Sequence, residues 1–184
     1  PQPVPDAEQA QLFASLVNYF ATSFISITTY PESETTWLFY SFLGLYYIIE
    51  NTNQEIWRPL LQNLFDQHVE TWLNLAVGVS NVSGFTDPHI LGVILLLINI
   101  WYQNGEVFDN FNYSLVVDLL PFENPEFKSD ENEMIRLKAA IAIDTLAQRK
   151  VTVDALIQCR ILEITLGLFE HASFDLKQRM ASYS

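Results

Sequence analysis

The side chains that could do chemistry are few and lie far apart along the 184 residues. His68 stands between Asp66 and Glu70 in the segment DQHVE, a set of residue types that could bind a metal ion. Positions two apart on a helix do not face each other, so this spacing does not bring the three side chains together. The other histidines, His89 and His171, have no ligand-type neighbours at a recognised spacing. We therefore predict no metal site.

Cys159 is the only cysteine, in a mostly apolar segment with Arg160 as its basic neighbour. On a helix that arginine projects in another direction, which predicts an unreactive thiol. Phosphate-binding loops, Gly-x-Gly-x-x-Gly and Gly-x-Ser-x-Gly are all missing from the sequence. We therefore predict that the chain is no enzyme, with no catalytic residues, no cofactor-binding residues and no cofactor. A single cysteine forms no internal disulfide, which favours an intracellular location in the cytoplasm or nucleus.

Helical periodicity dominates the elements that position these side chains. After an extended segment over residues 1–5, apolar residues spaced by three or four predict a first helix over about 6–28 and an apolar second helix ending near Asn51. Asp87 and Pro88 are typical of an N-cap and first helical residue, and Gly105 of the C-terminal cap of the same helix. Aromatic and β-branched residues would also suit strands, but their alternation never lasts, so the predicted fold class is all-α.

Four further boundaries follow from local signals. We expect a break at Asp66–His68, which divides the helical pattern that starts near Trp57. Asp130 and Glu133 predict a capping box at the start of the helix that runs through Leu146. Thr152 is the expected cap of one long apolar helix that continues to a break at residues 171–174.

The last stretch, LIQCRILEITLGLFEHASFDLKQRMASYS, resembles an armadillo repeat: a Leu/Ile-rich helix, the break HASFD, and a closing helix with Ala181. LKAAIAIDTLA (137–147) resembles another closing helix, and residues 57–84 resemble a whole repeat. The resemblance implies stacked helical repeats, an α-solenoid of armadillo or HEAT type, over residues 6–184. Its units are divergent over 6–56 and clearer over 57–84 and 114–184. A compact helical bundle is the alternative.

Armadillo proteins that act as nuclear-import adaptors hold an extended basic peptide with a W-x-x-x-N ladder on their closing helices. By this resemblance three residues take the asparagine position and are candidate peptide-binding residues: Asn81, Asn99 and Thr145. The matching tryptophan positions are occupied by Val77, Leu95 and Ile141. Without the tryptophans the slots for lysine side chains are not evident, which makes an import adaptor the less favoured function.

The net charge of −13 is concentrated in the first two-thirds of the chain. Residues 1–127 hold 14 acidic residues and Arg58 as their one base, whereas residues 128–184 hold eight of each sign. Such a field repels nucleic acid and anionic membranes, so we expect neither as a direct partner. It favours a basic protein or peptide, although the acids could equally serve to keep an apolar chain in solution.

The sequence therefore predicts a protein–protein interaction scaffold or adaptor, with a structural or regulatory subunit of a larger assembly as the alternative. The chain closes on a helix that is apolar on nearly every side. In a solenoid this pattern predicts that Leu162, Leu166 and Phe169 are partly exposed on the last layer. We also expect the chain to be a fragment of a longer solenoid, with further repeats or another subunit beyond Ser184.

Overall fold

The computed structural model describes residues 15, 19, 35–51, 53–77, 87–108 and 110–171. Within these ranges lie seven α-helices: α1 Thr35–Asn51, α2 Gln54–Val77, α3 Pro88–Gln103, α4 Ser114–Val117, α5 Ser129–Ala147, α6 Lys150–Gln158 and α7 Ile161–His171. The described ranges contain no strand, and the all-α prediction is confirmed. The predictions for residues 1–5, for the break at 171–174 and for most of the helix at 6–28 lie outside the described residues.

Helix α3 is the central helix of the described residues, because its most extensive contacts are with both α1 and α5. Its sequence is apolar all round, and twelve of its 16 residues are buried. Gly92 lies where α5 approaches: a Cβ there would be 3.0 Å from the sulfur of Met134. Helix α2 also packs on α3, while α6 follows α5 and α7 follows α6. Among the described residues, none of the helices is both long and apolar enough to cross a membrane.

Aromatic side chains fill the core between α2, α3 and the connection that follows α3. The Trp101 ring lies 5.2 Å from Trp57, 4.5 Å from Phe65 and 5.8 Å from Phe108, measured between ring centroids. Trp72 is also buried, and Phe65 contacts it edge-on. Three of the four tryptophans therefore belong to the core; the side chain of Trp37 is outside the description.

Both caps predicted for α3 are confirmed. The Asp87 carboxylate accepts hydrogen bonds from the backbone amides of His89, at 2.8 Å, and Ile90, at 3.2 Å. Pro88 occupies the first helical position, where its missing N–H costs nothing. Gly105 follows the helix with φ 92°, a conformation that glycine adopts without a steric penalty.

The predicted break at Asp66–His68 is wrong, since α2 runs without interruption from Gln54 to Val77. Polar residues on one side suggested a turn, but Phe65 and Val69 beside them are buried in the core and hold the segment helical. Pro59 lies inside α2. Having no N–H, it cannot donate to the carbonyl of Glu55, and core packing offsets that loss.

The N-terminus of α5 also differs from the prediction. The helix begins at Ser129, and the carboxylate of Glu131 accepts a hydrogen bond of 3.1 Å from the backbone amide of Lys128. The predicted pair, Asp130 and Glu133, lies within the helix instead. Asp130 and Glu131 in the first turn, with Glu133 after them, suit the helix dipole, so the sequence offered several equivalent starting points.

The single long helix predicted near the C-terminus is divided in two. Helix α6 ends at Gln158 and α7 begins at Ile161, because Arg160 takes the left-handed conformation with φ 62°. Thr152 lies inside α6 and does not cap the last helix as predicted. Its hydroxyl donates to the carbonyls of Leu146 and Arg149, so it closes the end of α5.

Replacing Arg160 by glycine is expected to stabilise the protein, because glycine adopts a positive φ without the clash of a Cβ atom. The matched control is Arg160→Ala, since both variants lose the ion pair with Glu163 but alanine keeps the strain. We expect the glycine variant to melt about 2–4 °C above the alanine variant in thermal denaturation followed by circular dichroism. A glycine variant that melts at or below the alanine variant would contradict the left-handed assignment.

Candidate functional site

Two of the three predicted peptide-binding residues contact each other. Asn99 on α3 and Thr145 on α5 face one another across the main helix interface, and the Thr145 hydroxyl donates a hydrogen bond to the Asn99 side-chain oxygen. Thr145 is buried, whereas Asn99 is half-buried. Asn81 lies outside the described residues. The assignment of these residues to a bound peptide stays a prediction, and the bond between them gives both a role in joining α3 to α5.

A different set of polar residues holds a segment of backbone in this structure. Five residues recur at intervals of four along α2, and we call them the α2 polar column: Gln54, Arg58, Gln62, Asp66 and Glu70. Residues four apart are neighbours on a helix surface, so the column forms one winding row. It lies along residues 104–108 and 110–112, which follow α3.

Hydrogen bonds from the α2 polar column fix this connection at several points. The Gln54 amide donates to the carbonyl of Asn104 at 3.0 Å, and the Gln62 amide donates to the carbonyl of Val107 at 3.4 Å. Glu70 accepts from the backbone amide of Asn112. The column therefore binds the main chain much as a peptide-binding face would, but its occupant is a segment of the same chain.

Glu106 is the centre of this arrangement. It is 3% exposed, and its two carboxylate oxygens receive Gln54 Nε2 at 2.6 Å and Arg58 Nε at 2.9 Å. Because both oxygens already accept from fixed donors, this carboxylate is placed for structure and not for proton transfer. The Arg58 side chain is 58% exposed and faces an open groove of about 690 Å³ between α2 and residues 105–107.

Sequence reasoning missed the α2 polar column, although its spacing of four was visible. The hidden part was its partner, since Gln54 and Glu106 are 52 positions apart and no local pattern links them. Arg149 is a second residue of this kind: its guanidinium donates to the carbonyl of Tyr102 at 2.6 Å and lies beside Gly105. Two arginines thus secure the turn that follows α3.

Packing explains the pKa shifts of His68 and Cys159, which the sequence singled out, and of the buried Tyr102. The His68 ring stacks on Trp72 at 6.0 Å, and burial lowers the pKa of His68. Burial, together with the negative charge of Asp118, raises the pKa of the Cys159 thiol and disfavours the reactive thiolate. Burial and the hydrogen bond with Tyr113 raise the pKa of Tyr102 far above its usual range.

No cluster of three or more metal-binding side chains occurs in the part of the chain that the structure describes. What that part does present is large apolar side chains in contact with water. On α1, Tyr40 is 64% and Tyr47 is 54% exposed; on α7, Leu162 is 65% and Leu166 is 66% exposed. The predicted exposure of these two leucines is confirmed, while the side chain of Phe169 lies outside the description.

No protein-family model, no curated protein and no solved structure shows a significant match to this chain. The function therefore has to be inferred from the surface chemistry of the described residues. The strongest surface features are the exposed apolar side chains of α1 (Tyr40 and Tyr47) and of α7 (Leu162 and Leu166). The acidic charge of residues 1–127 is the strongest electrostatic feature.

Proposed function

We propose that this protein is a protein–protein interaction scaffold that receives a basic protein or peptide on the outer face of α1. One observation carries the proposal: Tyr40 and Tyr47 are exposed on a helix that has no basic residue. The two tyrosines are seven residues, or about two turns, apart, so they lie on the same face of α1. Large exposed aromatic side chains are typical of binding surfaces.

The chemistry of this face suits a cation. A lysine or arginine placed over a tyrosine ring is attracted by the negative face of the ring, by about 0.5–1 kcal/mol at an exposed site. Glu50 lies at the C-terminal end of the helix and accepts a hydrogen bond of 3.2 Å from the Tyr46 hydroxyl. Fourteen acidic residues and one base in residues 1–127 would steer a basic partner toward this part of the molecule.

The scaffold we propose is an α-solenoid of armadillo or HEAT type, which acts in the cytoplasm or nucleus. Its support is the order of packing, in which α3 contacts both α1 and α5, α5 contacts α6, and α6 contacts α7. The nuclear-import adaptor is a weaker candidate, because the tryptophans of its ladder are missing and Asn99 is engaged by Thr145. A subunit of a permanent assembly is the second candidate, favoured by the exposed leucines of α7.

The proposal is tested with a fluorescent peptide of alternating arginine and glycine, titrated with the protein while fluorescence anisotropy is measured. Replacing both Tyr40 and Tyr47 by serine should weaken binding about tenfold, from two lost cation–π contacts of 0.5–1 kcal/mol each. The pair Tyr40→Phe and Tyr47→Phe keeps the rings and should bind like the unchanged protein. Binding should also weaken as ionic strength rises from about 0.05 to about 0.5 M.

The remote control is the double variant Leu162→Ser and Leu166→Ser, which alters an equally exposed face on α7 and should leave peptide affinity unchanged. If the arginine–glycine peptide binds the Tyr40→Ser, Tyr47→Ser double variant as tightly as the unchanged protein, the peptide is attracted only by net charge. Equal affinity for a peptide of alternating glutamate and glycine would refute a basic partner altogether.

A further inference from the structure

The bend between α6 and α7 is made by residues whose own preferences favour a continuous helix. The segment from Ala155 to Ile164 contains no glycine and no proline, and its alanine, leucines, glutamine and arginine are good helix formers. A left-handed residue at a helix end is usually glycine and sometimes asparagine. Here it is Arg160, with φ 62°. The local sequence therefore does not account for the bend.

The apolar spacing continues through the bend. Four residues follow one another at intervals of four, three and four positions: Ile157, Ile161, Ile164 and Leu168. In an unbroken helix this spacing would place all four side chains on one face. In the bent form Ile157 is 51% exposed, whereas the other three pack against the core. The bend therefore divides one helical stripe between solvent and core.

The packing of α7 holds the bend in place. Ile161, Ile164 and Leu168 are each only partly buried, so their contacts with the core are limited. These contacts offset two costs of the bent form: the Cβ atom of Arg160 is strained in the left-handed conformation, and the facing ends of α6 and α7 have amides and carbonyls without helical partners. The exposed ion pair of Arg160 with Glu163 spans three positions, which suits a continuous helix equally well.

We propose that residues 150–171 form a hinge with two conformations, the bent form of the structure and one continuous helix. When the contacts between α7 and the core are lost, Arg160 returns to the right-handed helical conformation, and α6 and α7 join. The continuous helix would be about 33 Å long, at a rise of about 1.5 Å per residue. The hinge is independent of the peptide-binding surface proposed on α1, since Tyr40 and Tyr47 lie outside residues 150–171.

The hinge is tested by measuring the distance between two spin labels with electron paramagnetic resonance. The labels are attached at exposed positions through Val151→Cys on α6 and Glu170→Cys on α7, after the natural cysteine is replaced by Cys159→Ser. The bend brings these positions closer together than a straight helix does. The double variant Ile164→Ser and Leu168→Ser removes the packing of α7 and should lengthen the distance to about 28 Å, the rise between positions 151 and 170 of a continuous helix. Helix content measured by circular dichroism should not fall.

Two controls accompany this variant. The matched pair Leu162→Ser and Leu166→Ser changes leucines of the same helix that are exposed to solvent, and it should keep the short distance of the bent form. Adding Arg160→Gly to the Ile164→Ser, Leu168→Ser variant should abolish the long distance, because glycine tolerates a positive φ and is a poor helix former. If the double variant folds poorly, Ile164→Ser alone should give a mixture of both distances.

Three results would overturn the proposal. A short distance that persists after the contacts of α7 are removed means that packing does not hold the bend. A broad distribution of distances with a loss of helix content means that α7 unfolds instead of joining α6. The same long distance with glycine as with arginine at position 160 means that the backbone of this residue is not the hinge.

Discussion

Replacing Trp101 by alanine is expected to lower the free energy of unfolding by about 3–5 kcal/mol, the largest effect of any single change proposed for this protein. The indole is fully buried and contacts the rings of Trp57, Phe65 and Phe108. Alanine would leave a cavity between α2 and α3 that neighbouring rings fill only in part. Chemical denaturation followed by circular dichroism measures the loss, since most helices of the core depend on this cluster.

The matched control is Trp101→Phe, which keeps a ring but removes the indole nitrogen. That nitrogen is buried without a hydrogen-bond partner, and an unsatisfied buried donor costs about 1–3 kcal/mol. The phenylalanine variant should therefore lose much less stability than the alanine variant, because relief of the unsatisfied donor offsets part of the smaller ring volume. Equal losses of stability in the two variants would contradict this expectation.

Replacing Arg58 by methionine is the second change with a large expected effect. It preserves most of the side-chain length but leaves the Glu106 carboxylate buried, with Gln54 as its remaining donor. Removing one partner of a buried pair costs about 3–5 kcal/mol, and the half-exposed guanidinium reduces this to about 2 kcal/mol here. Urea denaturation of the single variant measures the loss.

A double-mutant cycle isolates the contribution of the ion pair between Arg58 and Glu106 to stability. Glu106→Gln keeps a hydrogen-bonding group of the same size but removes the ionised oxygen that Arg58 contacts. In that background Arg58→Met should change stability by less than about 0.5 kcal/mol, since no buried charge is left unpaired. If Arg58→Met lowers the free energy of unfolding equally with glutamate or glutamine at position 106, the arginine stabilises the protein through packing of its aliphatic part. The ion pair with Glu106 would then contribute nothing to stability.

Local signals in the sequence were sufficient at both ends of α3. Asp87, Pro88 and Gly105 were assigned correctly because each satisfies the backbone of its own helix end. The break predicted at Asp66–His68 failed for the opposite reason. The polar residues there did suggest a turn, but contacts of Phe65 with Trp72 and Trp101 favour the helix, and these partners are invisible to a local pattern.

In the candidate sites, too, local patterns were visible in the sequence but contacts between distant residues were not. The spacing of Gln54, Arg58 and Gln62 was available in the sequence, yet the segment that they hold lies about 50 positions later, as the pairing of Gln54 with Glu106 shows. The resemblance placed Asn99 and Thr145 at ligand-facing positions, but it could not show that the two side chains would meet each other. Exposure of Leu162 and Leu166 was predicted from the local pattern, because apolar residues occupy nearly every side of this helix.

The left-handed residue Arg160, which separates α7 from α6, also has a consequence for the order in which the protein opens. Helix α7 packs chiefly on α6, and its Ile161, Ile164 and Leu168 pack against the core, so we expect it to detach as a cooperative unit that gives up these contacts while α1, α3 and α5 stay folded. The free energy of that partial opening is lower than the free energy of global unfolding. A molecule that binds Leu162 and Leu166 only while α7 is packed on α6 therefore stabilises the packed state. The concentration of that molecule sets the fraction of time that α7 remains packed.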